Sequence, residues 1–349
     1  NATEENGPGG RKKNAVRFVS THKLEDSQAI RAACFHPSGK YYAIGTNSKQ
    51  LHVCRYPEIL KNIPPDWQTQ KAEVLLTRPK QHRGSVYCVS FNPSGDLLVT
   101  GSNDKTARLM QFSQDVCKVG TEMSLEMHDG TVRDCVFMED TRNCTSLLIS
   151  GGAGNCRIYV TDCATGTPIR NLAGHTAPIL GLYTWGGCMF ASCSLDRSVR
   201  FWDLRCSNAV NVISPGQKTT SAPVTSVCVD PGGRLLVSGH EDSTVMLYDV
   251  TASRVVQIYK PHADEVRTVR FSPGTFYLLT GSYDKKIVIT DMRGDLMGPL
   301  TYLPAAEMQD KIIQCRWHPT DFTFLSTSAD RTAVLWALPP SSSIKNNNN

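Results

Sequence analysis

One pattern recurs seven times along this chain, and that recurrence limits the fold more than any single motif. Between Val86 and Met110 the order is plain. An apolar run ends at Phe91, and the turn Asn92-Pro93-Ser94-Gly95 follows. A second apolar run ends at Ser102, Asp104 sits in a second turn, and a third run leads to Met110. The same order starts again near Ile30, Val132, Ile179, Val224, Val266 and Ile312. A small residue enters the second turn at Gly45, Gly101, Gly151, Cys193, Gly239, Gly281 and Thr327. Three residues later stand Ser48, Asp104, Gly154, Asp196, Asp242, Asp284 and Asp330, spaced by 56, 50, 42, 46, 42 and 46 residues.

Each unit reads as four short strands. Runs such as Leu235-Leu236-Val237 and Ile287-Val288-Ile289 are rich in aliphatic and β-branched residues and suit strands covered on both faces. Turns fall at Pro37, Pro93, Pro231 and Pro273, each followed by glycine within two residues. No segment keeps a helical period. One such sheet cannot cover both of its own faces, whereas seven packed radially can. A length of 349 residues alone suggests two domains at roughly 100–200 residues each; the period replaces this with one all-β domain.

Composition then removes several classes of function. With 40% hydrophobic and 20% charged residues the chain is globular. No apolar run approaches the roughly 18–20 residues of a membrane span, so no membrane partner is expected. A net charge of +5 is too mild to argue for nucleic acid. The chain opens at Asn1 without a targeting segment and reads as a fragment cut before the first strand. Thirteen cysteines are scattered with no Cys-x-x-Cys, which fits free thiols in a reducing cytoplasm and neither a zinc site nor a disulfide scaffold. No phosphate loop, nucleophile elbow or metalloprotease motif occurs. No catalytic residue, metal or cofactor is therefore assigned, and binding is the expected class.

These repeats resemble the WD-repeat (WD40) β-propeller family. Trp202-Asp203 is the full signature dipeptide, and Tyr248-Asp249, Thr290-Asp291 and Trp336-Ala337 are degraded versions. Gly174-His175 matches the family's Gly-His, of which His82, His128 and His262 keep the histidine. The resemblance extends over residues 15–338 and leaves 1–14 and 339–349 as flexible tails. It implies a seven-bladed propeller closed by pairing an N-terminal strand, placed at Ala15–Val19, with the last blade. It also implies a buried hydrogen-bonded set, complete only in blade four: His175, Ser192 or Ser194, Asp196 and Trp202. A histidine, an aspartate and a serine also suit a hydrolase on paper. Recurrence of the set around the ring argues for a structural role instead. Blades five and seven are expected to lack the histidine.

The innermost strand of each blade edges the central channel. Just after its leading aliphatic residue stand Arg31, Tyr87, Arg133, Leu180, Thr225, Arg267 and Ile313. The residue before the turn aspartate faces the same rim in the family, which adds Asn103, Glu241 and Tyr283. Arginine and tyrosine dominate interface hot spots. The expectation is a top-face funnel formed by Arg31, Tyr87, Asn103, Arg133, Glu241, Arg267 and Tyr283 that receives an acidic peptide. The alternative is that these arginines are solvated or pair with Glu265 and Glu241. The segment from Lys61 to Arg83, with five Lys/Arg against Asp66 and Glu73, reads as a projecting loop. It is either a solvated insertion or a second contact for an acidic surface.

Further stretches are similar to a microtubule-associated branch of the family. They include Leu24–Arg31, Leu182–Trp185 and Ile313–His318. That likeness implies a cytoplasmic scaffold of the neuronal cytoskeleton that binds microtubule-associated proteins, minus-end binders among them, through a domain monomeric on its own. An adaptor that reads phosphopeptides or ubiquitin is the alternative.

Overall fold

Seven antiparallel sheets form, one for each sequence repeat. The computed structural model describes residues 17–58, 63–140, 145–216 and 218–339. Their innermost strands are Ile30–Phe35, Val86–Phe91, Val132–Asp140, Ile179–Gly186, Val224–Val229, Val266–Phe271 and Ile312–Trp317. They begin on the residues marked by the repeat. Each packs beside the next around a channel, and no α-helix occurs among the described residues. The chain is the expected all-β, seven-bladed propeller. The tails assigned to 1–14 and 339–349 lie outside the described residues, apart from Pro339.

The small residue that enters each turn has a packing reason. A Cβ on Gly101 would stand 2.8 Å from Val132 Cγ1 of the next blade, and one on Gly281 would stand 2.7 Å from Ile312 Cγ2. Neighbouring blades therefore meet through the leading aliphatic of one and the bare backbone of the other. In six of the seven turns the residue after the marked position is left-handed without being glycine: Lys49, Lys105, Arg197, Ser243, Lys285 and Arg331 have φ of 71–73°. In blade three Gly154 itself takes φ +81°.

The ring closes through the N-terminus, but one segment later than expected. The closing strand is Val19–Glu25, antiparallel to Thr332–Ala337, with Val19 opposite Ala337 and Glu25 opposite Thr332. Ala15 and Val16 lie outside the described residues, and Val19 alone of the expected segment belongs to the strand. The cause is visible at Phe18. Its amide donates to the Ala305 carbonyl of blade six at 3.0 Å. Its ring packs against Phe324 and Phe322 at 4.9 and 5.6 Å. The chain reaches blade seven only after that anchor.

The expected projecting loop is also corrected, from Ile63 onward. Val74–Arg78 is the outer strand of blade one, and Gln70–Lys71 pairs in parallel with the closing strand. Trp67 is half-buried and donates from Nε1 to the Thr21 carbonyl at 3.2 Å. An indole that finds both a hydrophobic bed and an acceptor docks instead of projecting.

Candidate functional site

Blade four holds the hydrogen-bonded set at full strength. His175 Nδ1 meets Asp196 Oδ2 at 2.7 Å, and His175 Nε2 meets Ser192 Oγ at 2.6 Å. Trp202 Nε1 donates to the same Ser192 Oγ at 2.8 Å. The serine of the set is thus Ser192. Ser194 instead accepts the Asp196 amide and donates to the Ala177 and Pro178 carbonyls. Burial pushes the Asp196 carboxyl up, but bonds from His175 and Ser198 outweigh it and hold the group well below its ordinary range. Ser192 is wholly buried, and its hydroxyl is taken on both sides. This is a strut across the blade, with no room for a substrate beside the hydroxyl.

Blades two and six keep three of the four members. His82 bridges Asp104 and Thr100 at 2.9 and 2.7 Å, and His262 bridges Asp284 and Thr280 at 2.9 and 2.8 Å. Blade three keeps His128 on Ser150, but Gly154 replaces the aspartate and His128 Nδ1 is left without a partner. Blade five repairs its missing histidine from another direction. His240, at the end of the second strand, meets Thr220 and Ser238 at 2.7 and 2.8 Å. In blade seven Met308 accepts from Ser326 through sulfur at 3.1 Å, while Trp336 Nε1 donates to Ser326 at 2.8 Å.

The seven positions that follow the leading aliphatics all line one cavity at the channel. Arg31, Tyr87, Arg133 and Arg267 converge there. The Arg31 guanidinium lies over the Tyr87 ring at 4.3 Å, and that of Arg133 lies over the same ring at 5.1 Å. Arg31 Nε donates to Asn47 Oδ1 at 2.6 Å. Tyr283 joins from the rim, with Arg267 at 5.0 Å and Lys311 at 4.6 Å from its ring centre. Arg267 also pairs with Glu265 at 3.4 Å. Burial, and then the charge of Arg267, pushes the Arg133 guanidinium down. Asn103 and Glu241 do not line this cavity. Asn103 is exposed beside Gly84, and Glu241 stands near Glu265 without an arginine partner.

Three channel residues escaped the sequence reading: Asp134, Arg270 and Arg316. They line the same cavity below the mouth. Asp134 accepts the amides of Cys135 and Leu182 at 2.9 and 2.8 Å, and burial raises its carboxyl. Arg270 donates to the Val269 carbonyl at 2.8 Å and lies over the Tyr183 ring at 5.3 Å. Arg316 donates to Thr268 Oγ1 at 3.1 Å and to the Cys315 carbonyl at 2.9 Å. For Arg270 and Arg316 the available signal was a charge at the fifth strand position, which holds Cys, Ser, Val or Tyr in the other five blades; Asp134 stands at the third position, otherwise Ala, Cys, Gly, Ser, Thr or Gln.

Every described cysteine carries a free thiol. Cys88, Cys135, Cys228 and Cys315 are buried on innermost strands, where burial raises the Cys228 and Cys315 thiols to about 12. Among the described residues no cluster could hold a metal ion, and no helix is long and apolar enough to cross a membrane.

Comparison with known proteins agrees with this architecture. The family described as "WD domain, G-beta repeat" matches residues 73–109, 166–203, 212–249, 253–291 and 300–337, more than half of the chain. The guanine nucleotide-binding protein subunit beta of Oryza sativa subsp. japonica is 28% identical over 204 residues, covering 54% of this chain and 52% of its own length. The nuclear distribution protein PAC1 of Coccidioides posadasii (strain C735) is 27% identical over 290 residues, covering 74% and 58%. Protein tipD of Dictyostelium discoideum is 24% identical over 262 residues, covering 73% and 40%. The chain thus spans about half the length of these curated relatives.

Proposed function

The chain belongs to the WD40-repeat family, and on that premise we propose that it is a non-catalytic scaffold whose channel mouth binds an acidic peptide segment of a protein partner. The observation that carries this reading is the convergence of Arg31, Arg133 and Arg267 with Tyr87 on one cavity. The tyrosine ring holds two guanidinium groups in place, so less side-chain entropy is lost when a carboxylate binds. Arginine forks suit bidentate contacts to carboxylates. Arg267 is partly neutralised by Glu265, which leaves Arg31 and Arg133 as the stronger anchors. Asn103, Glu241 and Tyr283 form the outer rim of this reading. The binding unit is residues 15–338, monomeric on its own.

The partner is placed among microtubule-associated and cytoskeletal proteins of the cytoplasm, including minus-end binders. Likeness of Leu24–Arg31, Gly45–Lys49, Phe201–Arg205, Leu278–Asp284 and Ile313–His318 to the C-terminal propeller of WD-repeat protein 47 (nemitin) supports this placement. A relative named for nuclear distribution fits it. The test is fluorescence polarisation with a labelled oligoglutamate peptide, followed by co-sedimentation with microtubules and their associated proteins. Changing Arg31, Arg133 and Arg267 together to Glu should weaken peptide binding at least ~100-fold, about 3 kcal/mol of lost charge-assisted contacts. Unaltered binding by a folded triple variant rejects the mouth as the site.

A further inference from the structure

Below the mouth the channel holds more positive charge than its own acids balance. Arg133, Arg270 and Arg316 enter it from blades three, six and seven, Arg31 and Arg267 line the same cavity, and Asp134 is its single carboxylate. Asp134 spends its two oxygens on the amides of Cys135 and Leu182 and makes no ion pair with any of the three. Glu265 is engaged with Arg267 at the rim. Arg270 and Arg316 each use Nη1 on the channel wall, at Val227, Val269, Thr268 and Cys315. Their Nε and Nη2 donors find no acceptor among the described residues. Burial and the neighbouring Arg270 push Arg316 down to about 9. The group stays charged at neutral pH but stands in a field that an anion would relieve.

We propose that this channel core binds one phosphate-type dianion, held by Arg270 and Arg316 from below and by Arg133 from above. Five guanidinium groups line the cavity against one carboxylate, an excess of positive charge that a phosphate or phosphomonoester, with about two negative charges near neutral pH, would offset. The cavity measures about 60 Å³. Planar guanidinium forks match phosphate oxygens in pairs. Gln314, also on the cavity wall, receives the Ala33 amide on Oε1 and keeps its NH2 group for the same space. The site shares the cavity and Arg133 with the peptide reading, but Arg270 and Arg316 belong to the phosphate site alone and phosphate binding is measured with no peptide present, so the failure of either reading shows by itself.

The experiment is isothermal titration of the whole chain with inorganic phosphate, at ionic strength held constant with chloride. Wild type should show one saturable site. Arg316→Gln and Arg270→Gln should each weaken it at least ~10-fold, as expected for the loss of one bidentate charge-assisted contact. Circular dichroism checks that each variant is folded. If one is not, the wild type alone decides: its Tm must rise saturably with phosphate and not with matched chloride. A second arm distinguishes the sources of the phosphoryl group. Competition by a phosphoserine peptide, but not by its unphosphorylated form, identifies a group carried by a partner; binding of inorganic phosphate alone identifies a free anion. Absence of saturable binding and of a Tm rise overturns the proposal, as does equal phosphate affinity in wild type and both folded variants.

Discussion

Ser192→Ala should cost roughly twice as much as Ser326→Ala, although both remove one wholly buried hydroxyl. The difference follows from what each oxygen serves. Asp196 accepts from His175 Nδ1, which leaves Nε2 as a bare acceptor for the Ser192 hydroxyl. The same oxygen accepts from Trp202 Nε1, and Trp202 is 1% exposed. Deleting it strands two buried polar atoms, at about 1–3 kcal/mol each, so about 2–6 kcal/mol in all. In blade seven the Ser326 hydroxyl serves Trp336 Nε1 and otherwise only the weak acceptor sulfur of Met308. Its loss should cost about 1–3 kcal/mol. Guanidinium unfolding followed by tryptophan fluorescence and circular dichroism gives both values, read from the shift in midpoint at unchanged slope. A double-mutant cycle sharpens the test. Trp202→Phe should destabilise the Ser192→Ala protein less than wild type, with about 1 kcal/mol of coupling, because the stranded indole donor is gone. Equal costs in the two blades, or zero coupling, would refute the strut.

Three other expectations follow from the same geometry. Removing residues up to Glu25 deletes the closing strand and bares the Thr332–Ala337 edge; Tm should fall by at least ~10 °C and the protein should self-associate, as calorimetry and light scattering will read. An unchanged Tm would remove the strand from closure. His128 and His240, both lowered to about 4 by burial, are neutral in the folded state, so the unfolded chain takes up protons first as pH falls. Stability should be intact above pH 6.5 and lost between 6.5 and about 4, by about 3 kcal/mol per histidine, with a visibly flatter slope in His128→Asn. Lys105→Gly relieves a left-handed φ of 72° on an exposed turn and should raise stability by about 0.5 kcal/mol, measured by thermal unfolding; a loss of Tm would count against backbone strain there.

Local rules were readable wherever the chemistry repeats. The apolar run, the Pro-Gly turn and the turn aspartate each act within about ten residues, so their spacing marked the start of all seven innermost strands and the glycines that neighbouring blades approach. The grouping of His175, Asp196 and Trp202 in one set came from the resemblance to the WD-repeat family, and the structure joins them through Ser192 within one blade. His240 escaped notice because it reaches the same place in blade five from the opposite end of a strand, out of register with the repeat.

Closure and the channel belong to another level. The strand that seals the ring pairs residues about three hundred positions apart, and its start depends on the Phe18 amide finding Ala305. Trp67 docks because Thr21 and the closing strand are already there. Arg133, Arg270 and Arg316 sit in three separate repeats, and each by itself is an ordinary basic residue on a strand. Periodicity along the chain determined how many blades form and where each innermost strand begins. Only the closed ring decided that five guanidinium groups, those of Arg31, Arg133, Arg267, Arg270 and Arg316, share one small cavity with a single carboxylate, because charges separated widely in sequence interact only when the tertiary fold brings them close together in a low-dielectric space.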